Sequence, residues 1–137
     1  MKKVISVFGS SRPREGDPEY VEAREIGKAL ALEGFVVCNG GYGGIMEASA
    51  RGAKEAGGET IGVTVDKFAR TPNHWIDREI RKDTLPERIA VLVDSADGYV
   101  ILKGGTGTLL ELAYVWELIN KKFIEERVYG MDDIRTE

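Results

Sequence analysis

Two glycine-rich segments hold residue types that could bind an anion and act on it. The first spans residues 39–46 (Asn-Gly-Gly-Tyr-Gly-Gly-Ile-Met), and the second spans 103–111 (Lys-Gly-Gly-Thr-Gly-Thr-Leu-Leu-Glu). Glycine leaves backbone N–H groups accessible, and each segment precedes a predicted helix, whose N-terminus favours negative charge. Two such turns on one crevice indicate a phosphate-bearing small molecule. The alternative is that strand-to-helix turns select glycine only because they need positive φ.

Both segments depart from the better-known nucleotide-binding patterns. A Walker A loop requires Lys-Ser or Lys-Thr after a suitable glycine, and neither dipeptide occurs there. The dinucleotide pattern Gly-x-Gly-x-x-Gly fails in both segments, because its last position is Met46 in the first and Leu110 in the second. These departures argue against an ATPase and against an ordinary dehydrogenase.

Glu111 and Arg88 are the candidate chemical groups, and each has a structural alternative. Glu111 follows the last glycine of its segment by one helical turn, so its carboxylate could reach a bound ligand. Thr108 and Glu111 also have the spacing of a capping box. The spacing alone favours this structural role of Glu111 over a chemical one. Arg88 falls in the first turn of a predicted helix, where it equally fits a solvated surface charge. Lys103 fits either a second phosphate partner or a plain lysine at the end of a strand.

Composition excludes several classes of protein. The chain has 137 residues and a net charge of −4, which argues against a general nucleic-acid binder. Cys38 and His74 are its only cysteine and histidine, so one chain can form neither an internal disulfide nor a Cys/His zinc site. The apolar start breaks at Gly9, and no stretch reaches transmembrane length. We expect a cytoplasmic protein without a metal, a cofactor or a membrane partner.

Hydrophobic patterning alternates strands with helices. The predicted strands are 4–8, 35–38, 60–65 and 98–102, and the predicted helices are 18–33, 44–56, 84–93 and 108–121. The polar stretch 66–83 is predicted to be a loop, with room for a helical turn at 77–80. Residues 124–130 offer at most a weak edge strand, and the last ten residues are expected to fray.

This alternation predicts one domain, residues 1–137, with a three-layer, Rossmann-like α/β fold: a mainly parallel sheet with helices on both faces. Ligands of such sheets bind at the carboxyl ends of the strands, so the glycine-rich turns should line one crevice. Tyr114 and Trp116 make the last helix apolar all round, which predicts burial by the sheet on one side and by a second subunit on the other.

The two segments, in this order and spacing, resemble motifs of the Lonely Guy family. Residues 40–46 match the family's Gly-Gly-x-x-Gly-Leu-Met turn, and 103–111 match its Pro-Gly-Gly-x-Gly-Thr-x-x-Glu motif except at Lys103. Residues 8–11 (Phe-Gly-Ser-Ser) are similar to the family's first turn. Ile89 and Leu110 stand where the family often has Lys and Glu. The chain is also similar to molybdenum-cofactor carrier proteins.

The resemblance implies hydrolysis of a nucleoside 5′-monophosphate such as AMP to a free base and ribose 5-phosphate, by a homodimer or a higher homo-oligomer. It implies that Arg88 and Glu111 are catalytic. The substrate-binding residues that it implies are Gly9, Ser10, Ser11, Gly40, Gly41, Gly43, Gly44, Met46, Lys103, Gly104, Gly105, Thr106, Gly107 and Thr108. The alternative is a non-catalytic carrier of a nucleotide or a pterin cofactor, which the extra charge of Lys103 favours.

Overall fold

Short apolar runs form the central strands, and amphipathic segments between them form the helices. The computed structural model describes residues 2–120 and 128–130. Its strands are β1 (Val4–Phe8), β2 (Val36–Asn39), β3 (Thr60–Val65), β4 (Arg78–Lys82), β5 (Gly98–Ile101) and β6 (Val128–Gly130). Its helices are α1 (Pro18–Leu32), α2 (Ile45–Glu55), α3 (Leu85–Asp94) and α4 (Thr106–Asn120), with a short 3₁₀ helix at Asp66–Phe68.

The strands of the described residues form one sheet in the order β4-β3-β2-β1-β5-β6, and every pair is parallel. The chain builds outward from β1 to β4 and then returns to the other side of β1 to add β5. The direction of winding therefore reverses between β1 and β5. In open α/β sheets, a crevice for ligands forms outside the carboxyl ends of the strands at such a switch point.

Alternating side chains of the central strand divide the apolar residues between two cores. Ile5 and Val7 of β1 point to the face covered by α1 and α2, whereas Phe8 points to the face covered by α3 and α4. Ser6 shares the second face, and its hydroxyl donates a 2.6 Å hydrogen bond to the carbonyl of Leu92 in α3. Successive side chains of a strand point to opposite faces of the sheet, so β1 contributes apolar residues to both cores. The sheet and the helices on its two faces form three layers.

Glycine sets how closely α1 and α2 approach each other. A Cβ atom at Gly27 of α1 would lie 2.0 Å from the carbonyl oxygen of Ser49 in α2. A Cβ atom at Gly52 of α2 would lie 1.8 Å from the carbonyl oxygen of Arg24 in α1. Both contacts are with backbone, which has little freedom to move away. The two helices therefore pack backbone against backbone on their shared face of the sheet.

The predicted α/β class and the helices on both faces are confirmed, and β1 and β3 have the predicted bounds. The loop predicted over 66–83 is confirmed for residues 69–77 but wrong for 78–82, which form β4, so the helical turn expected at 77–80 is also wrong. This strand (Arg-Glu-Ile-Arg-Lys) has no apolar run, and only Ile80 packs against a core. An edge strand tolerates such charges, so its pairing with β3 left little hydrophobic signal in the sequence.

The end of the described chain agrees with expectation only in part. Helix α4 begins at Thr106, two residues before the predicted start. Residues 128–130 form β6 beside β5, as the weak edge strand predicted within 124–130 requires, although they also belong to the last ten residues, which were expected to fray. The rest of those ten residues, 131–137, lie outside the described residues, as do 124–127. No helix within the described ranges is long and apolar enough to cross a lipid bilayer.

We expect Gly52→Ala to destabilise the protein by about 1–3 kcal/mol, because the new methyl group would force two helix backbones apart. Glu25→Ala, on the exposed side of α1, is the control and should change stability by less than about 0.5 kcal/mol. Urea unfolding of the three proteins measures both effects. Equal stability of Gly52→Ala and the wild type would show that α1 and α2 do not pack this closely.

Candidate active site

A cavity of about 840 Å³ lies over the carboxyl ends of β1, β2, β3 and β5, at the switch point of the sheet. The turn after β1, the first glycine segment, the chain after β3, the first turn of α3 and the second glycine segment all contribute to its wall. The predicted residues that line it are Gly9, Ser10, Ser11, Gly40, Met46, Arg88, Lys103, Gly104, Gly105, Thr106, Gly107, Thr108 and Glu111.

The turn between β5 and α4 presents a row of backbone donors to this cavity. The N–H groups of residues 104–108 have no acceptor within the described residues, and the first helical hydrogen bond runs from Leu109 N to Gly105 O at 3.0 Å. A Cβ atom at Gly105 or Gly107 would meet nothing within 4 Å, and both residues are exposed, so packing does not require glycine at either position. Free N–H groups at the start of a 15-residue helix favour an anion such as phosphate.

Ser10 connects the three turns that surround the cavity. Its N–H donates to the carbonyl of Lys103 at 3.1 Å, and its carbonyl accepts from Ile45 N at 2.9 Å. Its hydroxyl accepts from Arg12 N at 3.1 Å. Gly44 lies so close to this turn that a Cβ atom there would be 2.4 Å from Ser10 O. These contacts fix the turn after β1 between the two glycine segments.

The first glycine segment contributes less of the wall than its composition suggests. Gly40, Tyr42 and Met46 line the cavity, whereas Gly41, Gly43 and Gly44 do not. Gly41 and Gly44 have φ values of +82° and +66°, which a residue with a side chain rarely adopts. The shape of the turn therefore explains why positions 41 and 44 are glycine. Contact of Gly41, Gly43 and Gly44 with a ligand stays a prediction.

Arg88 is buried, with a relative exposure of 8%, so it is not a solvated surface charge. Thr84 caps α3 by accepting from Glu87 N, which fixes the turn that carries Arg88. The Arg88 Nε atom donates to Val63 O at 2.7 Å, and Nη2 donates to Gly40 O at 3.1 Å. Nη1 has no acceptor within the described residues, and burial lowers the pKa of the guanidinium. Arginine nevertheless stays charged in proteins, so it brings a cation with free donors to the cavity wall.

Close packing around Arg88 explains the glycine at position 40. A Cβ atom at Gly40 would lie 1.9 Å from Arg88 Nη2. The rings of Tyr42 and Phe68 have their centroids 5.5 and 5.7 Å from the Arg88 guanidinium carbon. Aromatic rings at this distance stabilise a cation that has lost part of its hydration. The guanidinium is thus held by two carbonyls and two rings in one orientation.

Glu111 lies on α4 with its carboxyl group partly buried at the cavity. Because α4 begins at Thr106, Thr108 is the third residue of the helix and not its cap, so the capping-box interpretation is wrong. No hydrogen bond or ion pair of Glu111 occurs among the described residues. Burial raises the pKa of Glu111 to about 7, although the positive charge of Arg88 opposes the shift. A carboxyl group with this pKa exchanges protons readily at neutral pH.

Two asparagines that the sequence did not single out hold the first glycine segment. Asn39 accepts from Gly41 N at 2.8 Å and donates to Met46 O at 2.8 Å. Asn73 donates from its amide group to Tyr42 O at 2.7 Å and to Gly41 O at 3.1 Å. Asn39 directly precedes two glycines, which is a signal for an Asx turn. Asn73 is 31 residues from Tyr42, and no local pattern marks that contact.

Three further cations, Arg12, Arg70 and Lys103, line the same cavity and are exposed. Among them, Arg70 lies 6.0 Å from the centroid of Phe68, which is itself on the wall. Within the described part of the chain, no group of three or more His, Cys, Asp or Glu side chains is placed to hold a metal ion. The residues of this cavity therefore suit an anionic ligand with an apolar part.

Comparison with known proteins shows which family and which solved structures the chain resembles. Residues 2–126 match the model of the SLOG cluster4 family. The cytokinin riboside 5′-monophosphate phosphoribohydrolase of Mycobacterium tuberculosis is 37% identical over 116 residues, which cover 82% of this chain and 61% of that protein. The pyrimidine/purine nucleotide 5′-monophosphate nucleosidase of Escherichia coli K12 is 32% identical over 106 residues, 71% of this chain and 23% of that protein.

Among solved structures, the molybdenum cofactor carrier protein of Chlamydomonas reinhardtii superposes with a TM-score of 0.75 at 25% identity. The match covers 95% of this chain and 89% of the carrier protein. The resemblance found in the glycine segments and the Rossmann-like fold are thereby confirmed. The chain spans less than two thirds of the length of each of the two enzymes.

Glu111 should make the stability of the protein depend on pH. Its pKa of about 7 in the folded protein exceeds the ordinary value of 4.5, so its contribution is complete below about pH 4.5 and is lost as pH rises through 7. Glu111→Gln removes this loss. We expect the stability of Glu111→Gln relative to wild type to increase by about 2 kcal/mol between pH 5 and pH 8.

Urea unfolding at pH 5, 6, 7 and 8 measures this difference, with Glu33→Gln at the exposed end of α1 as the control for loss of a carboxylate. A difference between Glu111→Gln and wild type that stays constant with pH would show that the carboxyl group is solvated and titrates normally.

Proposed function

The chain belongs to the SLOG cluster4 family, and from that premise we propose that it hydrolyses the N-glycosidic bond of nucleoside 5′-monophosphates. The products would be a free base and ribose 5-phosphate. One observation carries the proposal: a fixed guanidinium and a carboxyl group with a pKa near 7 share a cavity with a row of free amides at a helix N-terminus. The names of the mycobacterial and E. coli relatives support this reaction class.

The 5′-phosphate binds at the turn between β5 and α4. Residues 104–108 offer N–H groups without other acceptors, and the helix dipole of α4 adds positive potential there. Lys103 and the turn Gly9–Ser11 lie beside these amides on the same wall. Binding energy from this remote group orients the sugar so that its anomeric carbon lies between Arg88 and Glu111.

Bond cleavage then separates charge along a defined path. The bond between the anomeric carbon and the base nitrogen breaks, its electron pair leaves with the base, and positive charge develops on the sugar. The Glu111 carboxylate stabilises that charge and accepts a proton from the attacking water, whose oxygen bonds to the anomeric carbon. The base takes up a proton from the solvent as it leaves, and Glu111 later returns its proton to the solvent, so the net reaction consumes one water. Arg88 Nη1 donates to the carboxylate or to sugar and phosphate oxygens, which holds the groups in register.

A second candidate function is a non-catalytic carrier of a nucleotide or a pterin cofactor. Lys103 favours it, because this residue adds a phosphate-seeking charge to the cavity wall without helping to break a bond. The structural similarity to a molybdenum cofactor carrier protein is compatible with this function. The carboxyl group of Glu111 has no evident role in a carrier, so hydrolysis remains the first proposal.

The active form is a homodimer that joins through α4. Val115 of this helix is completely buried, whereas Leu109 and Trp116 on its other side are 64% and 61% exposed. Leu110 and Tyr114 extend the exposed apolar surface. Several large apolar side chains exposed on one helix favour an interface there. A second copy of α4 is an occupant with matching chemistry, because the same apolar surface is presented by both copies.

We retain the cytoplasm as the proposed location and one domain as the proposed organisation. The single cysteine, Cys38, is buried, and burial raises its pKa to about 11. The thiol therefore stays protonated and unreactive at neutral pH. A free, buried cysteine of this kind is compatible with a reducing compartment such as the cytoplasm.

We expect Glu111→Gln to lower release of ribose 5-phosphate from AMP by at least about 100-fold, because the variant lacks the base and the compensating charge. Its affinity for AMP should stay within a few-fold of wild type, because the phosphate contacts are unchanged. Chromatography of free base from a panel of nucleoside monophosphates measures turnover, and calorimetry measures binding. Glu33→Gln is the control and should keep full activity.

Unchanged turnover by Glu111→Gln would exclude Glu111 from the reaction. If wild-type protein released no base from any monophosphate but a pterin were found by mass spectrometry in the purified protein, the carrier function would replace hydrolysis.

We expect Trp116→Glu to shift the protein from dimer to monomer, because a charge in an apolar interface loses its hydration. Leu32→Glu, at a 66% exposed position on α1, is the control and should stay dimeric. Sedimentation velocity at low protein concentration distinguishes the two states. A wild-type protein that sediments as a monomer at every concentration would contradict the proposed interface.

A further inference from the structure

Phe68 is an aromatic residue on the cavity wall that no core requires. Its side chain is 42% exposed and lines the cavity next to Arg70 and Tyr42. The sequence offered no reason to single it out, because it falls in the polar stretch after β3. A large apolar side chain left exposed inside a concave site is a feature that ligand-binding cavities share.

The order of the strands indicates which part of a nucleotide would reach Phe68. Along the carboxyl edge of the sheet, the sequence of strands is β3, β2, β1 and β5. The phosphate turn follows β5, and Phe68 follows β3, three strand spacings away, which is roughly 14 Å. Arg88 lies between these ends, since it donates to Gly40 O after β2 and to Val63 O in β3. A nucleotide with its phosphate at β5 and its anomeric carbon at Arg88 therefore directs its base toward Phe68.

The backbone around Phe68 is held in an unusual conformation. Ala69 has φ of 48° and ψ of 36°, a left-handed geometry that residues with a side chain seldom adopt. Its N–H donates to Asp66 O at 3.0 Å, and the Asp66 carboxylate pairs with Arg81 of β4 at 3.1 Å. Such strain persists where the surrounding contacts enforce it and often occurs at ligand sites. Here it allows both Phe68 and Arg70 to lie on the cavity wall.

We propose that Phe68 determines specificity by providing the surface on which the base of the nucleotide stacks. The inference rests on the proposed function, because it takes the phosphate position and the Arg88–Glu111 pair from it. Stacking depends on the area of the aromatic face and hardly on the groups at the base edge. The site consequently accepts purine monophosphates in preference to pyrimidine monophosphates and discriminates little between adenine and guanine.

Phe68→Leu and Phe68→Trp test the proposal, with AMP, GMP, UMP and ribose 5-phosphate as ligands. The first variant keeps apolar volume without an aromatic face, and the second restores the face. We expect Phe68→Leu to weaken AMP and GMP binding on the order of tenfold, UMP less, and ribose 5-phosphate not at all, since the sugar phosphate has no base. Phe68→Trp should bind AMP as well as wild type does.

Calorimetric binding and base release are measured in parallel, so the two proposals fail separately. Wild-type protein that binds AMP but releases no adenine would overturn hydrolysis while leaving the binding comparison decisive for Phe68. A Phe68→Leu variant that loses affinity for ribose 5-phosphate as strongly as for AMP would overturn the stacking role and show that Phe68 only covers Arg88. Equal affinity of Phe68→Leu and wild type for AMP would also overturn it.

Discussion

A buried guanidinium needs hydrogen-bond acceptors inside the protein, and the acceptors of Arg88 come from parts of the chain that are distant in sequence. Two of its hydrogen bonds end on the carbonyls of Gly40, just after β2, and Val63, within the neighbouring β3, and Nη2 also donates to Met46 Sδ at 3.9 Å. A Cβ atom at position 40 would lie 1.9 Å from Nη2, so a larger residue there would displace the guanidinium from this position. Leaving such a charge without these partners would cost several kcal/mol. The first glycine segment, α3 and β3 are therefore held together by one side chain.

The same side chain connects the fold to the chemistry of the site. With Nε and Nη2 occupied by the scaffold, Nη1 is the part of the guanidinium left for a ligand or for Glu111. Burial raises the pKa of the Glu111 carboxyl group, and the positive charge of Arg88 lowers it. The resulting pKa is about 7. Sheet topology supplies the remaining component, because the reversal between β1 and β5 opens the crevice where the helix amides of α4 are exposed.

The layered fold followed from sequence because its main elements have strong local signals. Apolar runs such as 4–8 and 60–65 are unambiguous, and their bounds agree with the structure. Strand β4 was missed because an edge strand is specified by its pairing with β3 rather than by its own hydrophobicity. Several site residues depend on contacts distant in sequence. Arg88 reaches Gly40 over 48 positions, and Asn73 reaches Tyr42 over 31, so neither the burial of the arginine nor the role of the asparagine was visible locally.

The charged strand β4 also affects how the molecule meets others. It forms one border of the sheet and carries Arg78, Glu79 and Arg81 on exposed or partly exposed positions. A neighbouring molecule that tried to extend the sheet across this border would have to strip water from those ionic groups. Lateral growth into fibrils is thereby discouraged at β4, even though the parallel strands behind it are strongly apolar.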